Sequence, residues 1–270
     1  MSSTAFNSTA SFPPGGKPAA APVALVTGAG RRLGRAIALG LARDGWDIAA
    51  HYRQSASEAA TLVAEVQALG RRAVALPCDL ANEAEVRTLL PRAVQALGPV
   101  TCIVNNASLF DYDNAADFGQ PALDRHMHTN LAAPILLAQA LHAATPAGGR
   151  AVVVNLLDQK LYNLNPDFLS YTLSKAALHS ATTLLAQALA PTVRVVGVAP
   201  GITLVSGDQT AAQFEQAHSR TPLGRSSTPD DVSAAVCYVA RAGALTGSTL
   251  LVDGGQHLVP LQRDVMFERP

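Results

Sequence analysis

Residues 23–34 read VALVTGAGRRLG, and this segment sets the architecture expected for the rest of the chain. An apolar strand is followed by a turn that contains Gly28, Gly30 and Gly34, and residues 35–43 then have the apolar spacing of a helix. Glycines at a strand-to-helix turn let the backbone approach an anion, which the free N–H groups of the helix N-terminus bind. The spacing is not Gly-x-Gly-x-x-Gly, but the order of strand, turn and helix predicts a site for dinucleotide phosphates.

Apolar runs typical of buried strands alternate with helical patterns along the remaining chain. The runs predicted as strands are 47–52, 72–76, 100–104, 151–157, 193–199 and 245–252, and the predicted helices include 56–69, 83–97, 123–144 and 228–240. This alternation predicts one α/β domain over residues 23–270, a doubly wound parallel β-sheet (Rossmann-like) with helices on both faces. Residues 202–222 carry few structural signals, and we expect them to form a lid over the substrate.

Composition argues against several classes of function. The 270 residues carry 20 basic and 20 acidic side chains, which gives no electrostatic case for nucleic acid or anionic membranes. No apolar run is long enough to span a membrane. The three cysteines lie among apolar neighbours and the seven histidines are dispersed, so we expect reduced thiols and no metal site. Residues 1–22 lack a basic start before an apolar core, and we predict a disordered extension on a cytoplasmic protein.

A second segment carries the candidate chemistry. Residues 155–178 read NLLDQKLYNLNPDFLSYTLSKAAL, so a buried strand ends at Asp158 and a helical pattern then carries Tyr171 and Lys175. Side chains four residues apart share one face of a helix, and an ammonium close to a phenol lowers the pKa of the phenol from about 10. The spacing therefore predicts a tyrosine that donates and accepts protons near neutral pH.

Polar residues follow the other predicted strands. Arg53 and Ser55 follow the second strand, where an NAD-preferring site usually has an acid, so we predict that they bind a 2′-phosphate and that the cofactor is NADPH. Asp79 either bonds the adenine amino group or caps the next helix. The small and amide residues of 105–110 suit a backbone that passes close under the cofactor. Asn130 either loosens its helix and holds a water or is an ordinary polar residue.

The carboxyl ends of parallel strands lie along one edge of a sheet, so these segments are expected to meet there. The strand-end features are the glycine turn, Arg53, Asp79, residues 105–110, Asp158 and the turn Pro200-Gly201. The tail, residues 256–270, is rich in apolar side chains, and we expect it to pack on a partner subunit.

Taken together, these motifs resemble the short-chain dehydrogenase/reductase family from about residue 23 to residue 258. The matching motifs are the Thr27-Gly28 opening, Asn105-Asn106-Ala107, Tyr171-x-x-x-Lys175, Pro200-Gly201 and Asp253-Gly254-Gly255. The resemblance implies a homotetramer in which Asn130, Tyr171 and Lys175 are catalytic. The cofactor-binding residues that we infer are Gly28, Gly30, Arg31, Arg32, Leu33, Gly34, Tyr52, Arg53, Ser55, Asp79, Leu80, Asn106, Ala107, Ser108, Lys175, Pro200 and Gly201.

Two departures from the family pattern point to one branch of it. Asp158 stands where the family usually has serine, and Arg32 stands where it usually has glycine. With Ser108-Leu109-Phe110 and His51-Tyr52-Arg53, they make the chain similar to the pteridine reductases and bacterial dihydromonapterin reductases. That resemblance implies a pterin substrate bound by Arg32, Ser108, Phe110, Asp158 and Tyr171. Phe110 either stacks on the flat heterocycle or is an ordinary packing residue in the wall of the site.

An aspartate at this position suits a substrate with a basic ring nitrogen. Asp158 could bond a ring N–H, or pass a proton through Tyr171 to the nitrogen of a C=N bond that receives hydride. Burial would raise the pKa of the carboxyl and help that donation. In the plainer interpretation, Asp158 only fixes its loop. We therefore predict an NADPH-dependent pterin reductase, with a carbonyl or quinone reductase as the alternative and a non-catalytic NADPH sensor as a less favoured one.

Overall fold

A computed structural model of the protein describes residues 21–205 and 209–267. Its strands are β1 (Val23–Val26), β2 (Asp47–Tyr52), β3 (Ala73–Pro77), β4 (Val100–Asn105), β5 (Ala151–Leu156), β6 (Val193–Pro200) and β7 (Thr249–Val252). They form one parallel sheet in the order β3-β2-β1-β4-β5-β6-β7. The predicted fold class is confirmed. The predicted disorder of residues 1–22 falls almost entirely outside the described residues.

Helices cover both faces of the sheet. They are α1 (Arg32–Arg43), α2 (Ala56–Ala68), α3 (Glu83–Leu97), α4 (Gln120–Met127), α5 (Ala133–Ala144), α6 (Leu169–Leu189), α7 (Ala211–Ser219) and α8 (Pro229–Arg241). Successive side chains of a strand point to opposite faces, so Val26 lies in the core with residues of α1 and α8, while Leu25 lies in the core with residues of α3 and α5. This double burial explains why the strands read as continuous apolar runs.

The strand order reverses beside β1. The chain runs outward from β1 to β3 and then crosses back to β4, on the other side of β1. The connections that leave β1 and β4 diverge there, which opens a crevice at the carboxyl ends of the strands. All the strand-end segments singled out from the sequence therefore lie along this edge.

The predicted helix 123–144 is wrong as a single element. A π-helical turn, His128–Ala132, separates α4 from α5 and contains Asn130. Pro134 has no N–H with which to bond the carbonyl of Asn130, and its ring would crowd that carbonyl in a regular helix. The extra residue of a π-turn relieves this conflict and redirects the Asn130 side chain.

Residues 209–222, which carry few structural signals in the sequence, contain a regular helix, and their role as a lid stays a prediction. Helix α7 lies there and begins with a capping box, in which the Thr210 hydroxyl accepts the N–H of Gln213 and the Gln213 amide bonds back to Thr210. The Thr-x-x-Gln pattern is the signal that the sequence contained. Within the described ranges, no helix is both long and apolar enough to cross a membrane.

Candidate active site

The glycine turn is packed tightly against the end of β4. A Cβ on Gly34 would lie 2.2 Å from the carbonyl oxygen of Gly28 and 2.5 Å from Nδ2 of Asn106. Gly28 has φ +63°, and a Cβ there would lie 3.1 Å from Cα of Ala107. A side chain at either position would fill this cradle. The turn leads directly into the N-terminus of α1, where helix N–H groups suit the phosphates of a dinucleotide.

The segment after β4 is hydrogen-bonded to the same turn. The backbone N–H groups of Asn106 and Ala107 both donate to Oγ1 of Thr27, at 2.9 and 3.0 Å. The Asn106 amide donates to the carbonyl oxygen of Thr27 at 2.9 Å. These bonds hold the backbone of Asn106 and Ala107 against the phosphate turn, and its close passage under a cofactor stays a prediction.

Arg32 opens α1 in a left-handed conformation with φ +51°. This conformation costs a non-glycine residue about 1–2 kcal/mol, which explains why the family usually has glycine here. Strained residues of this kind concentrate at functional sites, so the strain at Arg32 marks the position as a candidate contact.

The adenosine end of the predicted cofactor site has no acid directly after β2. Arg53 is exposed there, and Oγ of Ser55 lies 3.3 Å from the position of a Cβ on Gly30. Arg31 forms an ion pair with Glu58 of α2. The Ser55 hydroxyl thus lies beside the phosphate turn and the Arg53 side chain is open to solvent, while their contact with a 2′-phosphate stays a prediction.

The alternative that Asp79 caps α3 is wrong. Asn82 is the N-cap, and its Oδ1 accepts the N–H groups of Ala84 and Glu85 at 3.0 and 3.4 Å. Asp79 instead bonds the N–H of Ala81 in the turn before it. Contact with the adenine stays a prediction for Asp79. The side chain of Leu80 is 8% exposed and packs in the core, so Leu80 can reach a cofactor only with its backbone.

The proton-donor residues lie together where β5 ends and α6 begins. The Tyr171 hydroxyl donates to Oδ2 of Asp158 at 2.7 Å, and Oδ1 of Asp158 accepts the N–H of Lys160 at 2.8 Å. Lys175 donates from Nζ to the carbonyl oxygen of Leu156 at 2.8 Å and lies 5.8 Å from the centre of the Tyr171 ring. Asp158 thus fixes its loop and also contacts the phenol, and the proton relay stays a prediction.

Asn130 reaches this group through the π-turn. Its amide nitrogen donates to Oγ of Ser174 at 3.0 Å, and that hydroxyl donates to the carbonyl oxygen of Tyr171 at 2.7 Å. The Asn130 amide also exchanges two hydrogen bonds with the backbone of Leu109, at 2.8 and 3.0 Å. Asn130 therefore ties the segment after β4 to the tyrosine helix.

The predicted lowering of the Tyr171 pKa by Lys175 is wrong for this arrangement. Burial raises the pKa of Tyr171 well above 10, and the Asp158 carboxylate raises it further. The ammonium cannot offset this because it is bonded to Leu156 and lies farther from the phenol than the carboxylate does. Burial raises the pKa of Asp158, as predicted, and lowers the pKa of Lys175 to about 8. Tyr171 thus keeps its proton at neutral pH and is suited to donate it.

An aromatic cluster forms the wall beside Tyr171. The rings of Phe110 and Phe168 are stacked with centres 4.2 Å apart, and Phe110 meets the Tyr171 ring edge-on at 4.6 Å. Phe168 is 3% exposed and has φ +57°, a strained conformation for an aromatic residue. Phe110 is 39% exposed, and Ser108 beside it is exposed. Phe110 thus has both a packed face and an accessible surface.

The described part of the tail packs on its own chain, and its packing on a partner subunit stays a prediction. Arg263 donates two hydrogen bonds to the buried Asp167 carboxylate, at 2.7 and 2.8 Å. Asp264 pairs with the buried Lys160 at 2.9 Å, and the Phe267 ring lies 6.0 Å from that of Phe168. The tail therefore anchors the segment between Asp158 and Tyr171. No local pattern in the sequence indicated these ion pairs.

The turn after β6, at Gly201, also lies at the sheet edge that carries the candidate site. A Cβ on Gly201 would lie 2.4 Å from Oγ of Ser226 and 2.6 Å from Oε1 of Gln256, so Gly201 is enclosed by the segments that precede α8 and follow β7. Among the residues that the structure describes, no three metal-binding side chains are grouped as a metal site.

His51 in β2 is a further residue at the phosphate turn, and the sequence indicates it only through the resemblance to the pteridine reductases. Its side chain is 2% exposed, and Nδ1 accepts the N–H of Gly28 at 3.0 Å. Nε2 lies 3.0 Å from the carbonyl oxygen of Cys78. A histidine between apolar residues of β2 is the sequence feature that could have indicated a functional role.

Comparison with known proteins agrees with this geometry. A profile for a family described as enoyl-(acyl carrier protein) reductase matches residues 28–257. L-rhamnose 1-dehydrogenase (NAD(P)(+)) of Sphingomonas sp. (strain SKA58) is 33% identical over 247 residues, 87% of this chain and 95% of that protein. The chain belongs to the short-chain dehydrogenase/reductase family, which confirms the resemblance at that level.

Solved structures give the same fold. FolM alternative dihydrofolate reductase 1 from Brucella suis, in complex with NADP, is 40% identical with a TM-score of 0.85, covering 88% of this chain and 96% of that one. A short chain dehydrogenase from Burkholderia cenocepacia J2315 in complex with NADP is 33% identical with a TM-score of 0.81, covering 87% of this chain and 97% of that one.

Proposed function

We propose that the protein is an NADPH-dependent reductase that transfers hydride to a C=N bond of a pterin, either a dihydropterin or a fully oxidised pterin. The observation that carries this proposal is the 2.7 Å hydrogen bond from the Tyr171 hydroxyl to the Asp158 carboxylate. A serine at position 158 would suit a carbonyl oxygen, whereas an aspartate can both hold and supply the proton that a basic ring nitrogen requires.

Bound NADPH supplies the hydride. When the ring carbon receives it, the neighbouring nitrogen needs a proton, which Tyr171 donates from its hydroxyl. Asp158 is the nearest reservoir from which the phenol regains its proton, and burial favours the protonated carboxyl by raising its pKa. Lys175 holds positive charge beside the ring and, like Leu156 to which it is bonded, is buried, so water is largely kept from this relay.

Three further features support a flat, polar heterocycle as the substrate. Phe110 offers an exposed aromatic surface next to Tyr171, on which a planar ring would stack. Arg32 keeps a strained backbone at the phosphate turn, from which its guanidinium would reach both cofactor and substrate. Related FolM alternative dihydrofolate reductases from Brucella suis and Brucella canis are each 40% identical to this chain.

NADPH preference is expected to depend on Arg53. Arg53→Ala removes the guanidinium that would bond the 2′-phosphate, and a charge-assisted bond of this kind contributes about 1.5–3 kcal/mol. We expect the Kd for NADPH to rise at least about tenfold while the Kd for NADH changes little. Fluorescence titration with both cofactors measures this, with Arg87→Ala on the exposed face of α3 as the matched control. Undiminished preference for NADPH in Arg53→Ala would contradict the assignment.

Reductive turnover is expected to fall as pH rises through about 8, the pKa to which burial lowers Lys175. The protonated ammonium is the active form, so kcat should be level below this pKa and decline above it by about tenfold per pH unit. Steady-state rates at saturating NADPH and pterin give the profile, and unfolding midpoints at each pH exclude denaturation as the cause. A rate that is flat or rising through pH 8 would contradict the role of Lys175.

The proposed activity is tested by NADPH oxidation with a panel of substrates. The panel contains a dihydropterin, an oxidised pterin, small ketones and quinones, and its blank contains NADPH and enzyme alone. We expect turnover with at least one pterin and kcat/KM for it well above that for every carbonyl. Turnover confined to ketones or quinones would overturn the pterin assignment and leave the NADPH-dependent reductase.

A carbonyl substrate is the second candidate. It is favoured by the 33% identity to L-rhamnose 1-dehydrogenase (NAD(P)(+)), a protein named for a sugar substrate. Tyr171 and Lys175 would act in the same way on a carbonyl oxygen, so within the proton-donor group the aspartate at position 158 is the feature that separates the two candidates. The substrate panel distinguishes them directly.

A homotetramer belongs to the same proposal. The long helix α6 leaves Leu173 and Leu184 exposed, at 45% and 63%, and apolar side chains on such a face are suited to pack against a second subunit. Light scattering of the purified protein should give four times the mass of the chain, and a monomeric mass would contradict this part of the proposal.

A further inference from the structure

His51 makes polar contacts with both ring nitrogens and with its backbone carbonyl, and two of these contacts hold the phosphate turn. Nδ1 accepts the N–H of Gly28 at 3.0 Å, and the His51 carbonyl accepts the N–H of Ala29 at 2.9 Å. Nε2 faces the carbonyl oxygen of Cys78 at 3.0 Å. One residue of β2 therefore joins the phosphate turn after β1 to the segment after β3, where Asp79 is predicted to meet the adenine.

These partners define the protonation state of the ring. The N–H of Gly28 only donates, so Nδ1 must be without a proton, and the carbonyl of Cys78 only accepts, so Nε2 must carry one. Burial lowers the pKa of His51 below 6.5, and the Cys78 carbonyl raises it. The charged groups that act on the ring are Arg92 of α3, which lowers the pKa, and Asp79, which raises it.

We propose that neutral His51 is a positioning residue of the NADPH site, which holds the turn at Gly28 and the segment at Cys78 at the spacing that the cofactor requires. The inference needs the NADPH site but does not depend on the pterin substrate. Protonation of Nδ1 would bring a second donor against the N–H of Gly28, and that partly buried N–H would be left without its acceptor. The turn must then shift, and cofactor affinity falls.

Two substitutions separate the two ring contacts. His51→Asn keeps an acceptor near the place of Nδ1 but does not reach Cys78, whereas His51→Gln reaches Cys78 with its amide and offers no acceptor to Gly28. We expect the Kd for NADPH, measured by calorimetry, to rise at most about threefold for His51→Asn and about tenfold or more for His51→Gln. His142→Asn, on the exposed end of α5, is the control and should bind as wild type.

Equal Kd values for all these proteins, or the reverse order of the two variants, would overturn the proposal. Cofactor-free unfolding midpoints show whether a variant is folded. The wild type provides a second test that needs no variant, because ¹⁵N shifts of labelled histidine report the tautomer. At about pH 7 we expect a neutral His51 ring with its proton on Nε2. A charged ring, or a proton on Nδ1, would contradict the assignment.

The pH dependence of binding gives a third test. The 2′-phosphate of NADPH itself titrates near pH 6, so the informative quantity is the ratio of the wild-type Kd to the His51→Asn Kd. As pH falls from about 8 to about 5, this ratio should rise, because only the wild type gains a proton at Nδ1. A ratio that stays constant over the range, or falls, would overturn the proposal.

Discussion

Tyr171→Phe is expected to lower kcat for pterin reduction by about 10³-fold, because positioned proton transfer contributes about 10²–10⁴-fold to such reactions. Phenylalanine keeps the ring that packs edge-on against Phe110 and removes only the hydroxyl that donates to Asp158. The loss should therefore fall on kcat, with KM for the pterin changed little. Stopped-flow NADPH oxidation at saturating substrate measures the effect.

The matched control is Tyr238→Phe, which makes the same change at a tyrosine that is 60% exposed on α8. It should retain wild-type kcat. NADPH binding and the unfolding midpoint should be unchanged in Tyr171→Phe apart from small packing effects. Pterin turnover within a few fold of wild type in a folded Tyr171→Phe protein would show that the proton comes from another group.

Asp158→Ser is expected to lower kcat for the pterin by about 10²-fold and to leave carbonyl reduction unchanged or raised. Serine restores the residue that the family usually has, but it cannot store a proton for the ring nitrogen. The buried carboxylate also raises the pKa of Tyr171, so its removal should ease ionisation of the phenol. The ratio of kcat/KM for pterin to that for a ketone, measured in both proteins, is the decisive quantity.

Asp124→Ser is the matched control, since Asp124 is exposed on α4. It should leave this ratio unchanged. If Asp158→Ser reduced the pterin at the wild-type rate, Asp158 would be confined to the role of fixing its loop through the N–H of Lys160. The proton-relay role would then be untenable.

Much of the fold was predictable because its determinants are local. Buried parallel strands such as β5 and β6 read as continuous apolar runs, and the glycines of the phosphate turn mark a place where backbone must approach backbone. Helix α8 was placed correctly from its start signals, since Thr228 and Asp231 form a capping box around Pro229 at the first helical position. These are short-range interactions that neighbouring residues specify.

The features that sequence reasoning missed depend on contacts between distant segments. The π-turn requires Pro134 and Asn130 to be considered together with Leu109, which lies 21 residues away from Asn130. Burial and the Asp158 carboxylate raise the pKa of Tyr171. Lys175 bonds to the carbonyl oxygen of Leu156, and spacing on a helix does not reveal that partner.

The contacts of the tail could not be predicted for the same reason, because they join segments that are distant in the sequence. Its apolar composition suggested an interface, but nothing in the local sequence pairs Arg263 with Asp167, 96 residues earlier, or Asp264 with Lys160, 104 residues earlier. Only the folded chain brings these charges together. The strand-end site was easier to predict because the carboxyl ends of parallel strands always lie along one edge of the sheet.

The most direct test of pterin reduction is to follow the hydride itself. The purified enzyme is given an oxidised pterin and a ketone together, with NADPH that carries deuterium at the transferable position, and the products are analysed by mass spectrometry. We predict that deuterium appears on the ring carbon of the former C=N bond of the pterin, and that Tyr171→Phe produces almost none. Deuterium found only in the alcohol formed from the ketone, with the pterin unlabelled, would contradict the account.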